Sequence, residues 1–134
     1  VDDVMKVAGH RLSTAELEDA LNRHEAVTES AIVAKPHEIK GETPVAYVIL
    51  KEGFQPSDEL TKALVKHVDK TMGPIARPER IIFANELPKT RSGKIMRRIL
   101  KALVMNEPIG NTMTLLNPES VEELKQRVGY KGPD

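Results

Sequence analysis

The run Val45-Ala46-Tyr47-Val48-Ile49-Leu50 is apolar without a break, with Gly41 and Pro44 before it and Gly53 and Pro56 after it. A bounded apolar segment this short, rich in branched and aromatic residues, predicts a buried strand. Upstream, Val27 to Lys35 alternates imperfectly: Ala31 and Val33 are interleaved with Ser30, Ile32 and Ala34. Its length and branching still predict a strand, closed by Pro36-His37. Downstream, Ser57-Asp58 opens a helix whose face is Leu60, Ala63, Leu64 and Val68, and Gly73-Pro74 ends it. Pro78 to Ala84, with Ile81, Ile82 and Phe83, predicts the next strand.

Toward the N-terminus, Val4 to Leu12 reads as a short hairpin with Met5, Val7 and Leu12 as apolar contacts and Gly9 in the turn. Ser13 and Glu16 then stand at capping-box spacing, and Leu12 with Leu17 at hydrophobic-staple spacing. They predict a helix with Leu17, Ala20 and Leu21 buried, running to about His24. Toward the C-terminus, Ile95, Ile99, Ala102 and Leu103 fall at helical spacing. Lys94, Arg97, Arg98 and Lys101 share the other face, so a basic amphipathic helix is predicted from Lys94 to before Pro108. Asn106 to Leu116 reads as an extended tail with little core. Asn117-Pro118, cap then first-turn proline, opens a last helix with Val121, Leu124 and Val128 inward and Gly129 closing it. The order predicts an α+β fold: a small three-stranded sheet flanked by helices, with an N-terminal β-hairpin and a C-terminal helical tail.

The 134 residues suffice for one domain with its own core. With no cysteine, disulfides, thiolate nucleophiles and cysteine metal sites are excluded, and the composition fits a reducing cytosol. No apolar run approaches the ~18 residues of a membrane span and no signal peptide opens the chain, so a cytoplasmic, soluble protein without a membrane partner is expected. Val1-Asp2-Asp3-Val4 carries no initiator methionine, which suggests a piece of a longer polypeptide. Twenty basic residues balance twenty acidic ones, which argues against a general polyanion binder. Two Tyr, two Phe and no Trp offer few stacking platforms for single-stranded nucleic acid. Positive charge gathers from Lys89 to Lys101.

That stretch contains Leu87-Pro88-Lys89-Thr90-Arg91-Ser92-Gly93-Lys94-Ile95-Met96-Arg97-Arg98, a polar loop ending in Gly-Lys ahead of the basic helix. A lysine at a helix start, near free backbone N–H groups and the positive end of the dipole, suits a phosphate or carboxylate. It is not a phosphate-cradling Walker loop: Pro88 stands where the first glycine belongs and Ile95 where the magnesium-binding hydroxyl belongs. Taken alone, a Gly-Lys pair also reads as a solvated lysine, Gly9 as a turn residue and Arg11 as a surface charge.

Taken together, Asp2-Asp3-Val4, Gly9-His10-Arg11-Leu12, Thr14-Ala15-Glu16, Pro36-His37, Lys40-Gly41, Ala46-Tyr47-Val48, Gly73-Pro74 and Leu87 to Arg98 resemble the C-terminal domain of AMP-forming acetyl-coenzyme A synthetases. These belong to the adenylate-forming superfamily. Lys94 to Arg98 and the tail Asn111-Thr112-Met113-Thr114-Leu115 resemble the acetyl or short-acyl branch. The resemblance implies an acetate–CoA ligase that turns ATP, acetate and CoA into AMP, pyrophosphate and acetyl-CoA. Residues 1–105 would be its mobile lid, and residues 106–134 a tail and terminal helix packed on that lid. Lys94 would be the catalytic lysine of adenylation. Asp2 would be the hinge on which the lid turns against an N-terminal adenylation domain of the same polypeptide. Ala8, Gly9 and Arg11 would face nucleotide or CoA in the second step; relatives often have serine where Ala8 stands.

The family also implies a magnesium site through backbone carbonyls and the histidine at Asn22, His24 and Val27, although His24 reads equally as an ordinary helix-end histidine. Asp69 stands where some relatives carry a CoA-contacting arginine. Regulation by acetylation of Lys94, through a lysine acetyltransferase and deacetylase, is a further implication. Alternatives are a lid for another short- or medium-chain acyl–CoA ligase, or a free-standing module whose Lys89 to Lys101 patch binds an acidic partner or nucleic acid.

Overall fold

The computed structural model describes residues 4–133. The chain divides into two compact units, one running to Phe83 and the other starting at Ala84. The first unit contains β1 (Val4–Val7), β2 (His10–Ser13), α1 (Thr14–Asn22), β3 (Val27–His37), β4 (Gly41–Leu50), α2 (Asp58–Met72), a single 3-10 turn (Pro74–Ala76) and β5 (Arg80–Phe83). The second contains α3 (Arg97–Met105) and α4 (Glu119–Val128).

The strands make one five-stranded sheet in the order β2-β1-β4-β3, with β5 also on β4. β3 and β4 are antiparallel from Val27↔Leu50 to His37↔Gly41, and β5 runs parallel to β4 from Val45↔Arg80 to Val48↔Phe83. The expectation of three strands plus a separate hairpin is therefore corrected: the hairpin joins the same sheet where Val7 pairs with Gly41. Pro44 marks the handover between these neighbours. In an extended strand the N–H and C=O of one residue face the same edge. The Pro44 carbonyl accepts from Glu79 N at 2.8 Å, so its missing donor falls on the β5 side and leaves the β3 ladder intact.

The blurred alternation of β3 has a plain cause. Ile32, Ala46 and Val48 join Met5, Leu17, Leu21, Leu64 and Val68 in one core cluster, while Ala31, Val33, Val45 and Tyr47 on the opposite face are buried too. Strands covered on both faces read as continuous apolar runs. Ser13 Oγ accepts from Glu16 N at 3.3 Å and Ser57 Oγ from Leu60 N at 3.0 Å, so both predicted N-caps form. On α2 the buried stripe is Leu64 and Val68; Ala63, expected inside, is exposed.

The β1–β2 turn has positive φ at both central residues, Ala8 (+50°) and Gly9 (+83°), the requirement of a tight two-residue hairpin. Ala8 holds this conformation against its own Cβ, at about 1 kcal/mol. Its N–H donates to the Lys40 carbonyl at 2.8 Å, which ties the turn to the β3–β4 connection.

In the second unit α3 begins at Arg97, three residues later than predicted. Ile95 is drawn into a bridge with Lys89, and Met96 N donates to the Pro88 carbonyl at 2.8 Å, so these residues belong to the loop. The tail also differs from expectation, because Ile109 and Leu115 are buried. α4 packs against α3 and stops at Gly129, φ +75°. Asn106 ends α3 in the left-handed region, and its Oδ1 accepts from Lys131 N (2.9 Å) and Gly132 N (3.1 Å). Asn117 does not cap α4 with its side chain, which turns to the lysine loop instead. Among the described residues no helix is long and apolar enough to cross a membrane.

Two neighbouring turn residues should respond oppositely to substitution. Gly9→Ala should lower stability by about 1 kcal/mol through backbone strain alone, since an added Cβ there meets no atom within 4 Å. Ala8→Gly should raise it by roughly 0.5 kcal/mol, strain relief less the added freedom of the unfolded chain. Urea melts read this as opposite midpoint shifts at constant m-value; shifts of the same sign would contradict the turn geometry. Asn106→Gly keeps the left-handed cap but removes the two hydrogen bonds its Oδ1 accepts and the one its Nδ2 donates to the Gly132 carbonyl, so a loss of about 1–2 kcal/mol is expected with faster amide exchange at Lys131 and Gly132.

Candidate functional site

The loop from Leu87 to Met96 folds back on itself. Lys89 bridges Ile95 antiparallel, Thr90 N donates to the Lys94 carbonyl at 2.8 Å, and Gly93 N donates to the Thr90 carbonyl at 2.9 Å. The Thr90 hydroxyl oxygen accepts from Lys94 N at 3.1 Å and lies 3.0 Å from Ser92 Oγ. Gly93 supplies the positive φ, +90°, that the reversal needs. Arg91, Ser92, Gly93 and Lys94 are left exposed at the tip. Among the described residues no carboxylate forms a salt bridge with Lys94. The base of the loop is held from outside. Thr90 bridges Leu115, Leu116 N donates to the Lys89 carbonyl at 2.9 Å, and the Asn117 amide bonds both Leu87 and Lys89.

This geometry changes the electrostatic reading of Lys94. It sits ahead of α3 in a closed turn, and the first turn of α3 carries Arg97 and Arg98 with no acid and no side-chain cap. The helix dipole therefore does not define the site. Arg98 is engaged elsewhere, its Nη1 donating to the Ile109 carbonyl at 2.9 Å. The lysine is displayed by loop closure, as a mobile charge on a fixed base.

Ala8, Gly9 and Arg11 are exposed on the hairpin of the first unit. The register sets Lys6 directly opposite Arg11, so two cations lie side by side on one face. Like charges so placed favour an anion beside them, and the Glu42 carboxylate stands near, its Oε1 accepting from Lys6 N at 2.9 Å. Sequence pattern alone does not single out Lys6. The two-residue turn at Ala8-Gly9, which fixes the register, is the signal that finds it. Asp2, the expected hinge, lies outside the described residues.

At the expected magnesium site, Asn22 Oδ1 accepts from the Ser30 hydroxyl at 2.8 Å, so its side chain is occupied. Its backbone lies in the last turn of α1, which carries no basic residue. Carbonyl oxygens at this negative helix end fit a hard cation. The His24 carbonyl already accepts from Val27 N at 3.1 Å, and His24 Nδ1 accepts from Ala26 N at 3.0 Å, so the ring retains only Nε2 for another partner. The ring stands edge-on to His67 at 5.2 Å, and His67 Nε2 donates to the Ala20 carbonyl at 2.7 Å. Burial first, then His67, lowers the His24 pKa from its ordinary 6.5 and favours the neutral ring, against the Glu25 carboxylate, which pulls toward the charged one. Among the described residues no cluster of three His, Cys, Asp or Glu side chains forms. Asp69 pairs with Arg77 at 3.0 Å, so its carboxylate is spent inside the first unit.

Known proteins share this sequence and fold. Acetyl-coenzyme A synthetase of Pyrobaculum aerophilum is 59% identical over 125 residues, covering 93% of this chain and 19% of that protein. The same enzyme of Methanothrix thermoacetophila is 54% identical, covering 92% and 19%. Among solved structures, Brucella canis acyl-CoA synthetase aligns with a TM-score of 0.71 at 42% identity, over 74% of this chain and 18% of that one. The chain thus spans about a fifth of the length of these relatives. The profile of the AMP-binding enzyme C-terminal domain matches residues 16–94, well over half of the chain, and ends on Lys94. On that match the chain belongs to the AMP-binding enzyme C-terminal domain family.

Proposed function

We propose that this chain is the mobile C-terminal part of a cytoplasmic AMP-forming acetate–CoA ligase and that Lys94 is its adenylation lysine. The observation that carries the reading is the closed loop, which is pinned at its base by backbone bonds and by Asn117 and displays the Lys94 ammonium on a flexible stem at the end of the family match. In the first half-reaction an acetate oxygen attacks the α-phosphorus of ATP, and pyrophosphate leaves. Lys94 bridges the carboxylate and the α-phosphate oxygens, aligns the nucleophile and offsets charge that grows in the transition state. In the second, the CoA thiolate attacks the acetyl carbon of acetyl-AMP and AMP leaves.

For that step the domain turns about Asp2 on its N-terminal adenylation domain and presents the hairpin. Gly9, without a side chain, leaves room for the thiol arm. Ala8 offers only backbone, and Arg11 with Lys6 holds a phosphate of nucleotide or CoA. Residues 1–105 form the lid in this scheme, and residues 106–134 brace it. A magnesium ion would be held by carbonyl oxygens of Asn22, His24 and Val27 and would place positive charge at the negative end of α1. Acyl choice lies outside this chain, so a lid for another short- or medium-chain acyl–CoA ligase would carry the same residues. Acetylation of Lys94 by an acetyltransferase would remove the charge and stop adenylation until a deacetylase restored it.

In the full-length ligase, Lys94→Ala should lower acetate-dependent ATP–pyrophosphate exchange by about 100- to 1,000-fold, the range for one lost transition-state charge contact. Thioester formation from supplied acetyl-AMP should stay near wild type. Undiminished exchange would refute the assignment. Stoichiometric acetylation of Lys94 should reproduce the same split between half-reactions. The double variant Lys6→Ala, Arg11→Ala should do the reverse, raising KM for CoA roughly tenfold, as expected when charge-assisted contacts to phosphate are lost, with exchange retained.

A further inference from the structure

Pro88 has no N–H, and the polar groups on either side of it, the Leu87 carbonyl and the Lys89 N–H, have to be satisfied by something other than a continuous strand. One side chain does both. Asn117 Nδ2 donates to the Leu87 carbonyl at 2.9 Å and Asn117 Oδ1 accepts from Lys89 N at 3.0 Å. Asn117 is 9% exposed, and Leu87 and Pro88 are buried with it. Its amide reproduces the donor and acceptor pair that a neighbouring strand would offer, across the one residue that cannot join a ladder. The grip continues through the preceding residues, with Leu116 N on the Lys89 carbonyl and Leu115 bridging Thr90. Thr90 is the residue whose N–H and hydroxyl close the turn on Lys94.

Local sequence points to a different role for this asparagine. Asn-Pro ahead of a helical pattern reads as an N-cap, yet its side chain makes no cap bond. Its backbone carbonyl takes that part, accepting from Ser120 N at 3.0 Å and from the Ser120 hydroxyl at 2.7 Å. The carboxamide is thereby left for the loop. It lies beyond residues 16–94, where the family profile ends.

We infer that Asn117 is the positioning residue of the lysine loop: its carboxamide fixes the backbone on both sides of Pro88 and so sets where Lys94 is delivered in the adenylation step. The inference rests on the role proposed for Lys94. It makes the segment from Leu115 to Asn117 a working part of the adenylation site without any contact to substrate.

The test uses the full-length ligase with Asn117→Ala, Asn117→Asp, Lys94→Ala and, as a control in the same tail, Asn111→Ala. Asn117→Asp keeps the size and the acceptor toward Lys89 but sets a carboxylate oxygen where the donor to Leu87 stood, so it breaks that half of the clamp by repulsion and gives a second reading beside the alanine variant. The expected result is a loss of about 10- to 100-fold in ATP–pyrophosphate exchange for both Asn117 variants, the scale set by a misplacement near 1 Å. KM for ATP should hold, thioester formation from supplied acetyl-AMP should stay within about twofold, and amide exchange should accelerate at Lys89, Thr90 and Lys94. Asn111→Ala should match wild type. If both half-reactions fall together with the melting temperature in both Asn117 variants, Asn117 is a folding residue and the inference is wrong. If exchange is unchanged in them while Lys94→Ala abolishes it, the inference alone fails. If Lys94→Ala is itself inert, the proposed function fails and this inference with it.

Discussion

The first unit depends on β4, whose two edges carry three other strands. One edge belongs to β3 over its whole length. The other is divided, with β1 at Gly41 and β5 from Val45 onward. Pro44 sits at the division, its missing donor facing the edge where one neighbour gives way to the next. A proline in a central strand normally breaks a ladder. Here it falls where the ladder is already broken, and the β3 register continues through it as Ala34↔Pro44. The hairpin bearing Ala8 and Gly9 is attached to the sheet through this arrangement, at Val7↔Gly41 and by the Ala8 to Lys40 bond.

What the sequence could reveal follows from how local each signal is. Ser13 and Ser57 were legible as caps because cap and recipient amide lie within one turn. The main strands were legible because covering both faces turns alternation into a continuous apolar run. The attachment of the hairpin was not, since it rests on one paired position between residues distant in sequence. The start of α3 was misplaced for a related reason. Ile95 has helical spacing to Ile99, and periodicity cannot see that a bridge to Lys89 claims it. Ile109 and Leu115 belong to no period, and nothing local separates Leu115 from its exposed neighbours Met113 and Leu116, so their burial has no signature.

The candidate site divides in the same way. Lys94 could be singled out from its motif, while its environment could not, because the closure of the loop involves Thr90, Pro88 and the tail rather than the helix that follows. Lys6 was passed over because a lone lysine on a strand is unremarkable; its meaning comes from Arg11 opposite, and that requires the register. Asn117 was read as a cap because Asn-Pro is a strong local signal, and a local signal says nothing about a carboxamide that reaches residues thirty positions upstream.

The two cationic displays differ in kind, and the difference bears on what each can do. Lys6 and Arg11 stand opposite each other on paired strands whose backbone is fixed by neighbours; such a pair suits a phosphate that must be held while something else reacts. Lys94 stands at a turn whose base is fixed and whose exposed tip it shares with Arg91. Its stem can follow charge as it moves from carboxylate to phosphate oxygens, which suits a transition state. A base left loose would add backbone freedom to that of the stem, and the ordering cost would then oppose each approach of the ammonium to its target. Satisfying the Leu87 and Pro88 carbonyls and both polar groups of the Lys89 backbone removes that freedom in advance, with the loop closed on itself and clamped from the tail at the positions nearest its root.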